Sequence, residues 1–374
     1  MGHRQRDCDY RDDFALYSRA DFLMRLGVVL IFSLLGLLVW TAVLVDFFRS
    51  GPIPTAIINS AGKSPIKPSE KIVEPIAAPA TTTVTLIAVG DIMLSRTVAD
   101  RMEQSGLDYP FQKVSSFLNE ADIVFGNLET PLIDGRRIES SEMIFRANPA
   151  AAGALRRAGF TILSLANNHT PNFGARGLLE TFRSLTENDI KYVAAGKNST
   201  EANQPVYLTV NNFTFAFLAY NDAGVVPVSY EATADRPGTA FMRIDKMTAA
   251  VKQAKAEADF VIVSMHAGDE YKVLPNQAQI DFARAAVDAG AELVIGHHPH
   301  VVQTVERYRG KNIFYSLGNF VFDQTAPATK EGLVAKIIFT KAGVSGLSFH
   351  PVLIENLSQP RFIETVEVSQ RDGQ

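Results

Sequence analysis

The sequence predicts an α/β protein, a layered β-sheet flanked by helices and preceded by one transmembrane helix. Three observations carry this reading. Short apolar runs alternate with amphipathic ones over most of the chain. Polar, ligand-type side chains fall just beyond the ends of the apolar runs. A run of 20 residues near the N-terminus carries no charge.

That uncharged run, residues 26–45, is the first element. At about 1.5 Å per residue it matches the roughly 30 Å hydrocarbon core of a bilayer. Arg6, Arg11, Arg19 and Arg25 precede it, while only Arg49 and Lys63 occur in the 20 residues after it. Positive charge stays on the cytoplasmic side, so residues 1–25 are expected inside the cell and the main domain outside or in a periplasm. A signal peptide has a shorter apolar run and a shorter leading segment, so an anchor over residues 26–48 is the better reading. Residues 49–83 follow, with Pro52, Pro54, Pro65, Pro68, Pro75 and Pro79 and a run of three threonines. Such a composition buries no core and reads as an extended linker.

Residues 84–366 form the expected folded domain, with 367–374 as a tail. Strand candidates are 84–89, 122–125, 161–165, 213–219, 260–264, 292–295 and 312–316. Helix candidates are 111–119, 149–158, 177–187, 246–257 and 276–289. Alternation of the two, with strands apolar throughout, predicts a largely parallel sheet buried by helices on its faces. Three further runs, 334–339, 347–354 and 361–366, are expected to pair as a second sheet behind the first.

Composition narrows the chemistry. The formal charge of −4 gives no case for nucleic acid, and an anionic polymer would need a local cationic site. Cys8 is the only cysteine and precedes the apolar run, which excludes thiolate metal sites and a cysteine nucleophile in the main domain. Metal chemistry must use His, Asp, Glu and Asn.

Those residues cluster in the pattern. The candidate strands run in turn into Gly90-Asp91, Gly126-Asn127-Leu128-Glu129, Asn167-Asn168-His169, His266 and Gly296-His297-His298-Pro299-His300. Five strands each deliver a carboxylate, amide or imidazole at the C-terminal edge, where α/β sheets bind ligands. Singly, a Gly-Asp is a turn and an Asn-His is a loop pair. Together they hold five of the seven histidines, and Pro299 fixes the backbone between two of them. Mixed carboxylate, amide and imidazole donors suit Zn²⁺, Mn²⁺ or Fe²⁺ better than Ca²⁺.

These residues resemble the bacterial CapA family, the poly-γ-glutamate capsule synthesis proteins, which share the calcineurin-like metallophosphatase fold. The resemblance runs from about Thr85 to Phe322 and rests on motifs in order. They are Val89-Gly90-Asp91-Ile92-Met93-Leu94, Gly126-Asn127-Leu128-Glu129-Thr130-Pro131-Leu132, Leu165-Ala166-Asn167-Asn168-His169 and Gly174-Ala175-Arg176-Gly177-Leu178. Ala195-Gly196-Lys197-Asn198, His266-Ala267-Gly268-Asp269-Glu270-Tyr271, His298-Pro299-His300-Val301-Val302-Gln303 and Tyr315-Ser316-Leu317-Gly318-Asn319-Phe320 follow. The resemblance implies metal roles for Asp91, Glu129, Asn168, His169, His266, His298 and His300, with Asn127, Asn167, Asn319 and Glu270 lining the pocket.

Three departures bear on function. Met93 stands where a metallophosphatase has the His of Asp-x-His, Ala267 where the family commonly has Trp, and Asn172 where it often has Asp. The resemblance implies a surface-anchored part in making or exporting poly-γ-glutamate or a similar anionic polymer, beside membrane synthase subunits. As an enzyme it would be a metal-dependent hydrolase of phosphoester or amide type, with His169 or Glu270 carrying protons. The alternatives are a non-enzymatic polymer-binding scaffold and an exported phosphoesterase.

Overall fold

A computed structural model describes residues 82–363 of the chain. The predicted anchor, the tail before it, nearly all of the linker and the C-terminal tail lie outside the described residues. Among the described residues, no helix is long and apolar enough to cross a membrane.

The strands follow in chain order. They are β1 (Val84–Ile92), β2 (Ile123–Leu128), β3 (Ile162–Ser164), β4 (Lys191–Val193), β5 (Ala195–Gly196), β6 (Val206–Val210), β7 (Phe213–Asn221) and β8 (Gly238–Thr239). The second half adds β9 (Phe260–His266), β10 (Leu293–His297), β11 (Val305–Tyr308), β12 (Lys311–Phe314), β13 (Asn319–Val321), β14 (Glu331–Thr340), β15 (Gly343–Glu355) and β16 (Gln359–Phe362).

They form two large sheets. One has the order β16-β15-β14-β1-β2-β3-β4, with β13 also beside β1; the other runs β11-β12-β10-β9-β7-β6. The expected second sheet is therefore made of different strands. The tail strands join the first sheet, because β14 pairs antiparallel with β1 from Val84↔Phe339 to Ala88↔Ala335. β2 occupies only one edge of β1, and the long hairpin β14–β15 takes the other. The second sheet comes from the middle of the chain, parallel at its centre, with antiparallel edge strands β6 and β11.

Burial explains the apolar strands. In β1, Leu86 and Ala88 join the core between the sheets, where Phe125 stacks on Phe217 at 5.6 Å. Ile87 and Val89 point the other way, into a second core with Leu155, Phe160 and Phe182. With both faces covered, the strand has no polar side to show. The predicted helix at 111–119 is reduced to a 3₁₀ turn, Tyr109–Phe111, and one turn at Ser115–Leu118. The helix Gln277–Ala289 begins at Asn276, whose side chain accepts from the Gln279 N–H while Gln279 reaches back to the Asn276 N–H.

Two close approaches set the ends of β1 and β10. A Cβ on Gly90 would lie 1.9 Å from the Gly318 carbonyl oxygen, and one on Gly296 would lie 2.0 Å from that of Tyr315. No side chain fits at either position. The residues that follow, Asp91 and His297, are thus both held close to the segment Tyr315–Gly318.

Candidate metal centre

Strand register brings the polar residues into rows. Asp91 lies opposite Asn127 on β2 and Asn319 on β13. In the other sheet, Asn221, His266 and His297 stand side by side on β7, β9 and β10. Each row closes the C-terminal end of its sheet, where the apolar core stops.

Among the described residues, two groups place their ligand atoms within 4.8 Å of one another: Asp91, Glu129 and His266, and Glu270, His298 and His300. The groups adjoin. Asp91 Oδ2 lies 3.3 Å from His300 Nδ1 and accepts the His298 N–H at 3.3 Å. The rings of His266 and His298 are 4.7 Å apart. His298 holds φ +103 and His300 φ +58, conformations that non-glycine residues keep only where the surroundings impose them.

An amide net positions these donors. Asn127 Nδ2 donates to Asp91 Oδ1 at 2.8 Å and to Glu129 Oε1 at 3.0 Å, and lies 3.3 Å from His266 Nδ1. Asn167 Nδ2 donates to Asn127 Oδ1 and to the Leu128 carbonyl, while its Oδ1 accepts from the His169 and Thr170 N–H groups. Asn168 Oδ1 sits 3.0 Å from His266 Nε2. Asn319 Oδ1 lies 3.0 Å from His300 Nδ1, and its Nδ2 donates to Gln324 Oε1 and the Thr329 carbonyl. His300, held at Nδ1, is oriented to offer its other nitrogen, whereas both ring nitrogens of His266 have an amide neighbour.

The electrostatics fit a divalent cation. Burial raises the Asp91 carboxyl, but the imidazoles of His297 and His300 hold it well below the usual range. Burial, then the Asp91 charge, pushes Glu129 well above. Glu129 Oε2 and His298 Nδ1 are buried without a partner. Two buried carboxylates that cannot both ionise, beside buried polar atoms without partners, are a donor set suited to a cation. Asp91, Glu129, His266, His298, His300 and Glu270 would hold the ion, which when bound supplies Lewis acidity toward a substrate oxygen. Burial lowers His266 well below its ordinary value and His298 to about 4, leaving both neutral and able to bind a metal. Without metal His300 keeps its proton: burial acts against it, but Asp91 and Glu129 raise it to about 9, and a bound cation would displace that proton.

The predicted residues come together with some redistribution of position. Glu270 is exposed and stands with His298 and His300 as a ligand-type carboxylate. His169 belongs to neither group; its ring stacks on Phe145 at 3.8 Å and its Nδ1 lies 3.1 Å from Asn172 Oδ1. Asn167 has its amide engaged inside the protein. Met93 is fully buried, and its sulfur accepts the Ser95 N–H at 3.0 Å. His297, given no role in the sequence reading, has Nδ1 3.2 Å from Asp91 Oδ1, not aligned for a hydrogen bond, and no partner at either ring nitrogen. Asn221 was also missed, and nothing in its local sequence marks it. His297 carried a signal in the Gly-His-His-Pro-His run.

The chain is 38% identical over 279 residues to the capsule biosynthesis protein CapA of Bacillus anthracis, covering 72% of this chain and 67% of that protein. It is 35% identical over 267 residues to the PGA biosynthesis protein CapA of Bacillus subtilis, covering 71% and 70%. Among solved structures, the sulfate thiohydrolase SoxB of Thermus thermophilus aligns with a TM-score of 0.42 at 14% identity, over 68% of this chain and 44% of that one. Residues 85–324 match the model of the bacterial capsule synthesis protein family PGA_cap, and the chain belongs to that family.

Proposed function

We propose that this chain is a membrane-anchored, outward-facing accessory protein of capsular poly-γ-glutamate synthesis or export, with a pocket that holds divalent metal and handles the polymer. The observation that carries the reading is the joint donor set of Asp91, Glu129, His266, Glu270, His298 and His300, with buried acceptors left unpaired, in a chain of this family. The CapA names of the two Bacillus relatives support the polymer, and the uncharged run at 26–45 supports the anchor. Partner subunits of a membrane synthase follow from the same reading. The metal is Mn, Zn or Fe by the chemistry of the donors.

Elemental analysis of the full chain, purified without chelator, tests the pocket. About one or two divalent ions per chain are expected, lost in the His298→Ala, His300→Ala double variant. Unchanged metal content in that variant sinks the assignment. Complementation of a strain lacking its CapA protein tests the role: well-folded ligand variants are expected to fail to restore polymer. Restoration would favour a second reading, a polymer-binding scaffold. Met93 favours that alternative, because it removes one imidazole from the centre and turns its sulfur to the Ser95 N–H. An exported phosphoesterase is the weaker reading for the same reason.

A further inference from the structure

The two donor clusters hold three carboxylates, Asp91, Glu129 and Glu270, and a buried guanidinium stands near them. Arg96 is 8% exposed, with Nη2 paired to Asp323. The second oxygen of Asp323 accepts the Thr97 N–H at 3.3 Å. The rest of the guanidinium is poorly used. Nη1 meets only the Glu142 carbonyl at 3.3 Å and the Met143 sulfur at 3.9 Å, and Nε is buried without a partner. A guanidinium has five donors, and burial without strong acceptors for most of them is unusual.

Its position is also imposed. Arg96 holds φ +51, a conformation that a side chain of this size rarely takes. Its Cζ lies 4.7 Å from the centre of the Phe145 ring, which stacks on His169 at 3.8 Å. The Arg96 charge acts on both His169 and Tyr271, and Tyr271 is 6.3 Å from His300. The weak contacts at Nη1 come from a surface segment. Met143 is 69% exposed, and the Glu142 side chain is tied to Arg136 within the same segment.

We propose that Arg96 is the oxyanion-recognising residue of the pocket. A carboxylate of an incoming acidic chain displaces Glu142 and Met143 from Nη1 and is held one aromatic ring away from His169. This rests on the polymer reading above and supplies the local cationic site that the net charge of −4 lacks. Arginine suits the task because its planar donors match a carboxylate or a phosphate. Asp323 is then the internal competitor that neutralises the guanidinium until the chain arrives.

The test is binding to the full chain in detergent, with three probes: γ-linked polyglutamate, the same polymer with its carboxylates amidated, and inorganic phosphate. Arg96→Gln is expected to weaken the carboxylated polymer at least tenfold and Arg96→Lys by less, with the amidated polymer unaffected. Asp323→Asn is expected to tighten the carboxylated polymer, the opposite of what loss of a structural pair does. Equal weakening of both polymers, with no tightening in Asp323→Asn, overturns the proposal, and Arg96→Lys keeps it testable where Arg96→Gln does not fold. Polymer binding that ignores Arg96 sinks this inference and leaves the polymer reading standing. Phosphate binding that depends on Arg96, without polymer binding, keeps the oxyanion site and removes the polymer reading.

Discussion

One side-chain amide, that of Asn127, holds the two central carboxylates in place. Its Nδ2 donates to Asp91 and Glu129, and its Oδ1 is fixed by Asn167. Asn127→Asp removes the donor and adds a third buried carboxylate to the pair. We expect the metal-free protein to lose about 3–5 kcal/mol, the usual result of leaving buried charge uncompensated. Denaturant unfolding in chelator measures it, and a loss under about 1 kcal/mol contradicts the net as drawn. A second residue explains a family departure. Asn172 Oδ1 faces His169 Nδ1 and also accepts the Phe145 N–H. Burial lowers His169 to about 4, outweighing the Asn172 hydrogen bond, which favours the charged ring. Asn172→Asp puts a carboxylate at the same place, and a charge there favours the protonated ring. The His169 pKa is expected to rise above its present value, read from the ring protons by NMR in metal-free protein. An unchanged titration means that the group at position 172 does not govern the charge of the ring.

At the scale of elements, Gly90 ties two strands into the site. A Cβ there meets the Gly318 carbonyl at 1.9 Å, and that carbonyl accepts the Asp91 N–H at 3.0 Å. Gly90→Ala therefore pushes β1 from β13 and moves Asp91. A loss of about 1–3 kcal/mol is expected, the range for an overpacked core, together with weaker metal retention. Gly135→Ala is the control, since its nearest neighbour is the Arg146 side chain at 3.4 Å; a change within about 0.5 kcal/mol is expected there. Equal thermal melts for the two variants contradict the close approach. The same elements show what the sequence could tell. The runs at 84–89 and 260–264 were legible as strands because both of their faces are buried. That burial also erases the alternation that would say which sheet each belongs to, so the split into two sheets and the pairing of β14 with β1 were not legible. Asp91, Glu129, His266, His298 and His300 could be read because polar residues interrupt apolar strands at their ends. Arg96 and Asp323 could not, since their pairing spans 227 positions and no strand was expected to end at either.

Over the whole molecule, the buried histidines give stability a sign with pH. His169 and His298 sit at about 4 in the fold and His266 well below its ordinary value, each chiefly through burial, against about 6.5 when unfolded. A depressed folded pKa gives stability that is present above 6.5 and lost as pH falls. His300, raised to about 9 despite its burial, contributes fully below 6.5 and loses its contribution only as pH rises through 9. It is therefore silent during acidification. Glu129, raised by burial and by Asp91, opposes the trend, because the folded form keeps a proton that the unfolded chain has released. Three imidazoles against one carboxylate leave a net uptake of protons on unfolding between about pH 4.5 and 6.5. Stability should fall across that window, by on the order of 1–3 kcal/mol per pH unit at most. Urea midpoints of the chelated full chain at pH 7, 6 and 5 read this directly, with the midpoint expected to drop. Added Mn²⁺ or Zn²⁺ should raise the midpoint most at pH 7, since protons compete with the metal for the same imidazoles. A midpoint that is flat in chelator, or a metal effect that grows toward pH 5, means that the histidines are not held neutral as a donor set.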